Sequence, residues 1–587
     1  MKDLAARLAD ACALAFQAEG LDAKWGAVKQ SDRPELADYQ CNGCMGAAKQ
    51  AGRNPRDLAS VIAPRIAEDP IVERVDVAGP GFLNITVRNA ALAERATEIR
   101  LDPKHGGGVA ADPEKLVVDF GGPNVAKSMH VGHLRSAVIG DTLVRVFRFL
   151  GDDVTGDVHL GDWGLQMGLL IIALQDEQPD LPHFAETVSQ NELGDIAFTM
   201  EDLTRVYPLA SARAKTDAEY EKRAQEAVAM MQAGHPGYRA LLAHFISVSV
   251  AALKVDYAFL DVNFDLWKGE SDVDHLIAPM IESFKEKTLA RLDDGALIVD
   301  IERPDDKKDV PPLMLVNSRG ATGYHATDLA TIVDRVESLG PDRIVYVVDQ
   351  RQAFHFEQVF RASELVGLMP EDRLEFVGFG TVNGPDGKPF KTREGGALRL
   401  ADLNALALAE AEKKIGEAGL SGEIGADERG QIAHLVARAA LRFADLKNQR
   451  TTNYVFELDK FSSFEGKTGP YLLYAAVRIK ALLRRAEAAG DAPGDIKITE
   501  AAERKLALAL DGFALALELT RKKRMPHHLC EHVYTVAQAF SAFYADLPIA
   551  KADDPDVRAS RLALCDAVLK QLETGLSLLG ITAPNRM

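Results

Sequence analysis

The chain has little cysteine, only five residues in 587, at positions 12, 41, 44, 530 and 565. That scarcity excludes a disulfide framework and favours a reducing compartment. Cys41 and Cys44 form a C-x-x-C pair, but a zinc site needs about four ligands and no second pair lies nearby. A structural, reduced pair is expected, with no protein-bound zinc or other metal. Positive charge is in deficit too, with Lys+Arg 68 against Asp+Glu 87 and a formal net charge of -19. Such a chain is no nonspecific DNA coat, although local basic patches can still meet RNA phosphates. Long hydrophobic runs are missing. The longest nearly apolar stretch, around Leu241–Leu253, contains His244 and Ser247 and is too short to span a bilayer. The start, "MKDLAARLADACALAF", is broken by Asp3, Arg7 and Asp10 and reads as an amphipathic helix rather than a signal peptide. These absences predict a soluble cytoplasmic protein with neither membrane nor DNA as partner.

What is present falls into segments. At 587 residues the chain is too long for one core and should divide into three or four domains. A Pro- and Gly-marked linker, "LDPKHGGGVAADPEK", closes an N-terminal α+β module at 1–110, which is helical at first and then shows a strand–turn–strand signal, "VERVDVAGPGFLNITV", around Gly79–Gly81. From 111 to about 400 strand and helix signals alternate, as in a Rossmann-type α/β domain. A strongly helical interruption, clearest from about Asn191 to Asp256, is read as an insertion at about 175–290. Beyond 400 the chain is almost wholly helical: "IAHLVARAALRFADL", "LLYAAVRIKALLRRA" and "LCEHVYTVAQAFSAFYADL" carry a three-to-four-residue apolar stripe. This end is divided into a helical connector at 401–465 and an all-α domain at 466–587, with no fixed-period repeat.

The chemistry concentrates in "VVDFGGPNVAKSMHVGHLRSAVIGD", residues 117–141. Leu116–Val118 reads as a buried strand, and from Val131 the apolar residues Leu134 and Val138 follow at helical spacing until Gly151. Strand, loop and helix in that order aim free backbone N–H groups and a positive dipole end at a phosphate, so the expected ligand is a nucleotide. His130 and His133 share one face of the first turn, where two imidazoles can reach one phosphate group. Gly132 leaves room for a flat base or ribose, and Lys127 can place a positive charge on a phosphate during transfer. Taken alone, H-x-G-H is short enough to recur by chance on ordinary surface histidines.

The surroundings decide otherwise. "PNVAKSMHVGH" with "RSAVIGD" resembles the nucleotide signature of class I aminoacyl-tRNA synthetases, and of the arginyl-tRNA synthetase family in particular. "GDVHLGDWGLQMG", "GYHATDLA", "YVVDQRQAFHFEQVF", "GKPFKTREGG", "FADLKNQRTTNYVFELDKF" and the terminal "GITAPNRM" agree with that family in order and spacing. The resemblance implies ATP binding by Pro123, Asn124, His130, Gly132 and His133. It implies catalytic roles for His130, His133, Lys127, Lys388 and Lys391, and arginine binding by Asp119, Asn124, Tyr324, Asp328 and Gln352. A chemical argument stands beside it: a guanidinium is a planar fork of donors best met by carboxylates, and Asp119 and Asp328 fall at expected strand ends. Asp119 stands where some relatives have Glu. The loop "NGPDGKPFKTREGG" departs from the class pattern K-M-S-K-S, keeping Lys388, Lys391 and Thr392 but not the residues between.

For tRNA the resemblance implies contacts by Phe82, Asn84, Arg450, Lys522 and Lys523. Phe82 and Asn84 would share a strand face, one stacking on a splayed base and one bonding its edge. The run "LTRKKRMPHHLCEH" lies in what resembles the anticodon-binding bundle of the family, although a charge run is usually a solvated face. The implied activity is that of an arginine–tRNA ligase, a monomer using ATP as its Mg²⁺ complex, L-arginine and tRNA(Arg). The alternative enzyme is another class I synthetase or a small-molecule nucleotidyltransferase sharing the H-x-G-H site, and the second would give no reason for the long helical C-terminus. A tRNA-binding relative without catalysis would be expected to lose a histidine, a lysine or a binding carboxylate, and none is missing.

Overall fold

The computed structural model describes residues 2–33, 35–384, 387–388, 398–417 and 425–587. The chain forms two compact units, Met1–Ala110 with Ser463–Met587, and Ala111–Ser462.

The first unit opens with α1 (Leu4–Ala18), capped where the Asp3 carboxylate accepts the Ala6 N–H at 2.7 Å. Strands β1 (Val28–Gln30), β2 (Tyr39–Cys41), β3 (Val72–Ala78) and β4 (Phe82–Val87) make an antiparallel sheet in the order β1-β2-β4-β3. The expected strand–turn–strand is β3–β4, and its turn uses Gly79 and Gly81 at φ of 51° and 130°, where a side chain would be strained. Helices α2 (Gly43–Ala51), α3 (Pro55–Ala67) and α4 (Asn89–Leu101) complete this segment.

The second unit is built on a five-stranded parallel sheet. Its strands are β5 (Lys115–Phe120), β6 (Asp153–Leu160), β7 (Leu266–Gly269), then, after a small antiparallel sheet of β8 (Ala290–Asp293), β9 (Ala296–Val299) and β10 (Leu313–Val316), β11 (Arg343–Val347) and β12 (Leu374–Phe376). The order β12-β11-β5-β6-β7 means that the chain leaves β5 towards one edge and later returns on its other side. The gap between β5 and β11 is therefore a topological switch point, where α/β sheets open a crevice beyond the strand ends. Helix α5 (Val131–Leu150) follows β5 and ends at Gly151, φ 108°. Helices α6 (Leu165–Glu177), α7 (Met200–Ala214), α8 (Ala218–Gln232) and α9 (Pro236–Leu260) stand between β6 and β7. The helical stretch thus stops at Leu260, short of the boundary at about 290, because Leu266–Gly269 already pairs with β6 as the sheet edge. The apolar stretch also extends further than its sequence suggested. α9 runs for 25 residues and by length and composition alone could cross a membrane, so the argument from shortness does not hold. Here its Leu241, Phe245, Leu253 and Tyr257 are buried.

Helices α10 (Asp274–Glu286), α11 (Tyr324–Leu339) and α12 (Ala353–Val366) pack with the sheet around Val117, Phe284, Leu329, Ile344 and Val359. Helices α13 (Leu400–Glu417), α14 (Ala426–Leu446) and α15 (Leu458–Phe461) close the unit. α14 is locked to α5 by two buried ion pairs, Arg135–Asp445 at 2.9 Å and Arg442–Asp141 at 2.5 Å.

The chain then returns to the first unit as α16 (Gly469–Ala488), α17 (Ala501–Asp511), α18 (Phe513–Lys523), α19 (His527–Asp546) and α20 (Pro555–Leu578). One carboxylate fastens this bundle to the N-terminal segment. Asp511 accepts from the Leu4 N–H at 3.0 Å, the Tyr39 hydroxyl at 2.9 Å and Arg95 Nε at 2.6 Å. Arg95, Tyr39 and Asp511 are all buried. Asp511→Ala strands the Arg95 charge and two donors, and breaking a buried pair in this way costs roughly 3–5 kcal/mol. Urea unfolding followed by far-UV circular dichroism should show that loss in the first unit's transition, whereas an unchanged midpoint contradicts the role given to Asp511.

Candidate active site

Helix α5 begins with its two histidines bonded into its own backbone. His130 is the N-cap, and its Nδ1 accepts the Gly132 N–H at 3.0 Å, while His133 Nδ1 accepts the His130 N–H at 3.1 Å. The rings lie 4.1 Å apart, centroid to centroid. The Val131 N–H goes to the Leu398 carbonyl at 3.0 Å and the His133 N–H to the His130 carbonyl at 2.8 Å. The expectation of free backbone N–H groups aimed at a phosphate is thus corrected, because the first three of the helix are already bonded. What the turn offers instead is imidazole. A neutral ring whose Nδ1 accepts carries its proton on Nε2, so each histidine presents an Nε2–H donor. Burial holds both rings below the ordinary imidazole range, His133 at about 3, and the nearby positive charge of Lys127 adds to it. Gly132 has a further reason to be glycine: a Cβ there would stand 2.7 Å from His130 Cε1, inside the space the folded ring takes.

These rings line an open cavity of about 550 Å³ at the switch point, together with Asp119, Asn124, Ser136, His159, Asp328, Asp349 and Gln352. Asn124 is set beside Gly161 by a parallel bridge, and its Oδ1 lies 2.2 Å from where a Gly161 Cβ would be. Pro123 is buried behind it and accepts the Gly161 N–H. Ser136 joins both central strands to α5, accepting the Gly121 N–H at 2.8 Å and donating to the Val347 carbonyl at 2.6 Å.

The acidic wall comes from β5 and α11, and neither expected carboxylate is idle. Asp119 Oδ2 is bonded by Arg335 Nη2 at 2.6 Å, and the same guanidinium reaches Asp157 at 2.7 Å. Burial pushes the Asp119 carboxyl up while Arg335 pulls it down. Asp328 Oδ2 stands 2.5 Å from His355 Nε2, whose ring stacks on His325. Tyr324, one turn before Asp328, opens onto a neighbouring cavity of about 300 Å³ with Trp163, Thr327 and Glu270. Burial, then Asp328 and Asp162, push the Glu270 carboxyl up to about 8.

The lysines are less uniform. Lys127 is half-buried on the loop before the histidines. Lys388 is exposed, with its carbonyl accepting the Gly384 N–H at 2.8 Å, and Lys391 lies outside the described residues. The chain past that loop is stitched to the histidine turn, since the Leu400 N–H donates to the Met129 carbonyl at 2.8 Å. Arg450 donates to the Gly378 carbonyl. In the first unit, Phe82 is half-buried on β4 and Asn84 is buried, with its side-chain oxygen accepting from Gln40 at 2.9 Å. Lys522 and Lys523 close α18, Lys522 paired with Glu518 at 2.5 Å. Cys41 and Cys44 are buried free thiols near the buried Cys12.

A family model described as "tRNA synthetases class I (R), catalytic domain" matches residues 97–458. The chain belongs to the class I arginyl-tRNA synthetase family. Models described as "Arginyl tRNA synthetase N terminal domain" and "DALR anticodon binding domain" match residues 2–87 and 472–587. An arginine–tRNA ligase of Hyphomonas neptunium is 61% identical over 589 residues, and one of Maricaulis maris 53% over 588, each covering 100% of both chains. Arginyl-tRNA synthetase structures from Plasmodium falciparum and Thermus thermophilus align at a TM-score of 0.79 with 23% identity, over 100% of each chain. At that identity the structural likeness speaks for the fold, which is the expected Rossmann-type domain with a helical insertion, an α+β N-terminal module and an all-α C-terminal domain.

Within this arginyl-tRNA synthetase fold, sequence reading passed over Ser136, Arg135, Arg335, His355 and Glu270. Arg135 and Ser136 stood inside the quoted "RSAVIGD", where a helix interior gave no sign of their partners. The geometry carries a pH expectation. The His133 pKa of about 3 leaves that ring neutral from about pH 5 upward, so it neither gains nor loses a proton as pH rises to 8, and burial shifts His130 in the same direction. ATP–pyrophosphate exchange should therefore show no acid limb near the ordinary imidazole pKa of about 6.5 that is traceable to His133. A limb there that vanishes in His133→Asn contradicts the neutral assignment.

Proposed function

We propose that this chain is an arginine–tRNA ligase, acting in the cytoplasm as a monomer on Mg²⁺-ATP, L-arginine and tRNA(Arg). The observation that carries the reading is the lining of one cavity at the β5–β11 gap, which brings two histidine donors together with Asp328 and Asp119. The donors suit an anion and the carboxylates a guanidinium.

In the first step the arginine carboxylate attacks the α-phosphorus in line, forming the acyl–phosphate bond as the bond to pyrophosphate breaks. The Nε2–H groups of His130 and His133 donate to phosphate oxygens, aided by the positive end of α5. Lys127, with Lys388 and Lys391 from the loop after Gly384, meets the charge that builds on the leaving pyrophosphate. Asn124 and Gln352 hold the amino-acid head group, with Pro123 and Gly132 shaping the nucleotide side. Asp328, Asp119 and Tyr324 hold the guanidinium. In the second step a terminal ribose hydroxyl of the tRNA attacks the activated carbonyl and AMP departs. No side chain need act as a covalent nucleophile, so catalysis is positioning and charge stabilisation. Phe82 and Asn84 bind a D-loop nucleotide, and Arg450, Lys522 and Lys523 meet tRNA phosphates.

Exchange assays run across the amino acids, with and without tRNA, test the assignment. Arginine should support exchange and lysine should not, because an ammonium cannot make the paired bonds of a guanidinium. A charge-assisted hydrogen bond contributes about 1.5–3 kcal/mol, so Asp328→Asn should raise the arginine KM on the order of 10- to 100-fold. Lysine charging comparable to arginine refutes the proposal. Stacking on an aromatic is worth roughly 1–3 kcal/mol per base, so Phe82→Ala should raise the KM for tRNA while those for ATP and arginine stay put. Equal movement of all three makes Phe82 a packing residue only.

A further inference from the structure

The loop that carries Lys127 holds a backbone conformation that it cannot keep unaided. Ala126 has φ of 64° and is fully buried, in the left-handed region where a Cβ is strained. Such a residue persists only where its surroundings over-determine it. Most of the restraints come from helices between β6 and β7. The Ala126 N–H donates to Ser249 Oγ on α9 at 2.9 Å, and Ser249 is itself buried. Ser128 Oγ pairs with Thr204 Oγ1 on α7 at 3.2 Å. Gln166 on α6 donates to the Val125 carbonyl. Three residues beyond Thr204, on the same side of α7, the ring of Tyr207 lies under Lys127, with Nζ 4.8 Å from its centroid.

That ring is a particular kind of partner. A carboxylate would hold the ammonium and cancel its charge, and among the described residues none lies within ion-pair distance of Lys127. An aromatic face attracts the ammonium through its quadrupole and leaves the full positive charge available to a phosphate. We propose that Tyr207 is a positioning residue for Lys127, and that the helical insertion forms the rigid wall that aims this lysine at the triphosphate. The inference rests on the adenylation role proposed for Lys127. It gives the insertion a part in the first chemical step, although none of its residues need touch ATP.

The test is single-turnover arginyl-adenylate formation by the full-length enzyme with saturating Mg²⁺-ATP, arginine and tRNA. Tyr207→Leu should slow the step roughly 3- to 30-fold, the range of a desolvated cation–π contact, with the arginine KM unchanged. Tyr207→Phe keeps the ring and should restore most of the lost rate. In a Lys127→Ala background Tyr207→Leu should add nothing. An undiminished rate in Tyr207→Leu overturns the proposal, and so does an equal loss with and without Lys127, since the ring then acts by another route. Tyr207→Gln, also lacking the ring, gives the same comparison where leucine perturbs folding. Failure of the underlying role reads differently: Lys127→Ala alone then keeps the wild-type rate, which overturns both.

Discussion

The seating of two histidine rings on the backbone at the start of α5 is the constraint from which the rest of the site follows. Each ring accepts a backbone N–H at its Nδ1, that of Gly132 for His130 and that of His130 for His133, and this fixes its tautomer and its tilt in one stroke. The helix N-terminus is thereby satisfied from within, which is what capping accomplishes. The same bonds convert backbone donors into side-chain donors. What the turn then presents is two Nε2–H groups, and partial burial holds both imidazoles below their ordinary range. Any displacement of the turn disturbs both rings together, so the turn is pinned from several directions: Ser136 to β5 and β11, Arg135 to Asp445 on α14, and Val131 to Leu398 beyond the lysine loop.

The acidic lining of the cavity is arranged by different physics. Carboxylates at the ends of a parallel sheet repel one another, and Asp119 and Asp157 sit side by side on paired strands. Arg335 resolves this by bridging the two from α11, the helix that also carries Tyr324 and Asp328. An internal guanidinium therefore already occupies one oxygen of Asp119, which makes Asp328 the stronger candidate to receive a second guanidinium from a ligand. His355 Nε2 meets Asp328 Oδ2 at 2.5 Å, a single contact that leaves its other oxygen open to a bidentate fork. Glu270, largely protonated near neutrality, adds polarity without adding a further negative charge.

Sequence carried the local part of this arrangement and little of the rest. Strand β5, the loop and α5 were legible because periodicity and glycine report on a residue's own neighbourhood. The histidine pair, Lys127 and Asp328 stood out through motifs whose spacing is itself local. What could not be read is who pairs with whom across the chain. Asp511 meets Leu4 across 507 positions, Arg335 meets Asp119 across 216, and Arg442 meets Asp141 across 301. A lone charged residue in a helical stripe looks like a solvated face until the partner is known. The union of the first 110 residues with the last 125 in one unit is invisible for the same reason.

Charge placement sets a further limit on the partner. A chain of net charge -19 repels a polyanion at long range, so an RNA partner must be met by positive charge gathered locally. Yet much of the basic residue count in the helical end is spent on the fold. Lys480 and Arg484 bond carbonyls of Ala583, Pro584 and Asn585, Arg478 lies 3.8 Å over the Tyr544 ring, and Arg524 is buried as the left-handed cap of α18. Lys522 leans on Glu518, and the three bases in the last turn of α18 also answer the negative end of its dipole. Among the described residues of this bundle Lys505, Lys523 and Lys551 make no ion pair, so the positive charge left for phosphates sits at a few points. On the proposed reading, recognition must then depend more on shape and on stacking at surfaces such as β4 than on a broad electrostatic footprint, which is how an acidic protein can select one RNA without binding all of them.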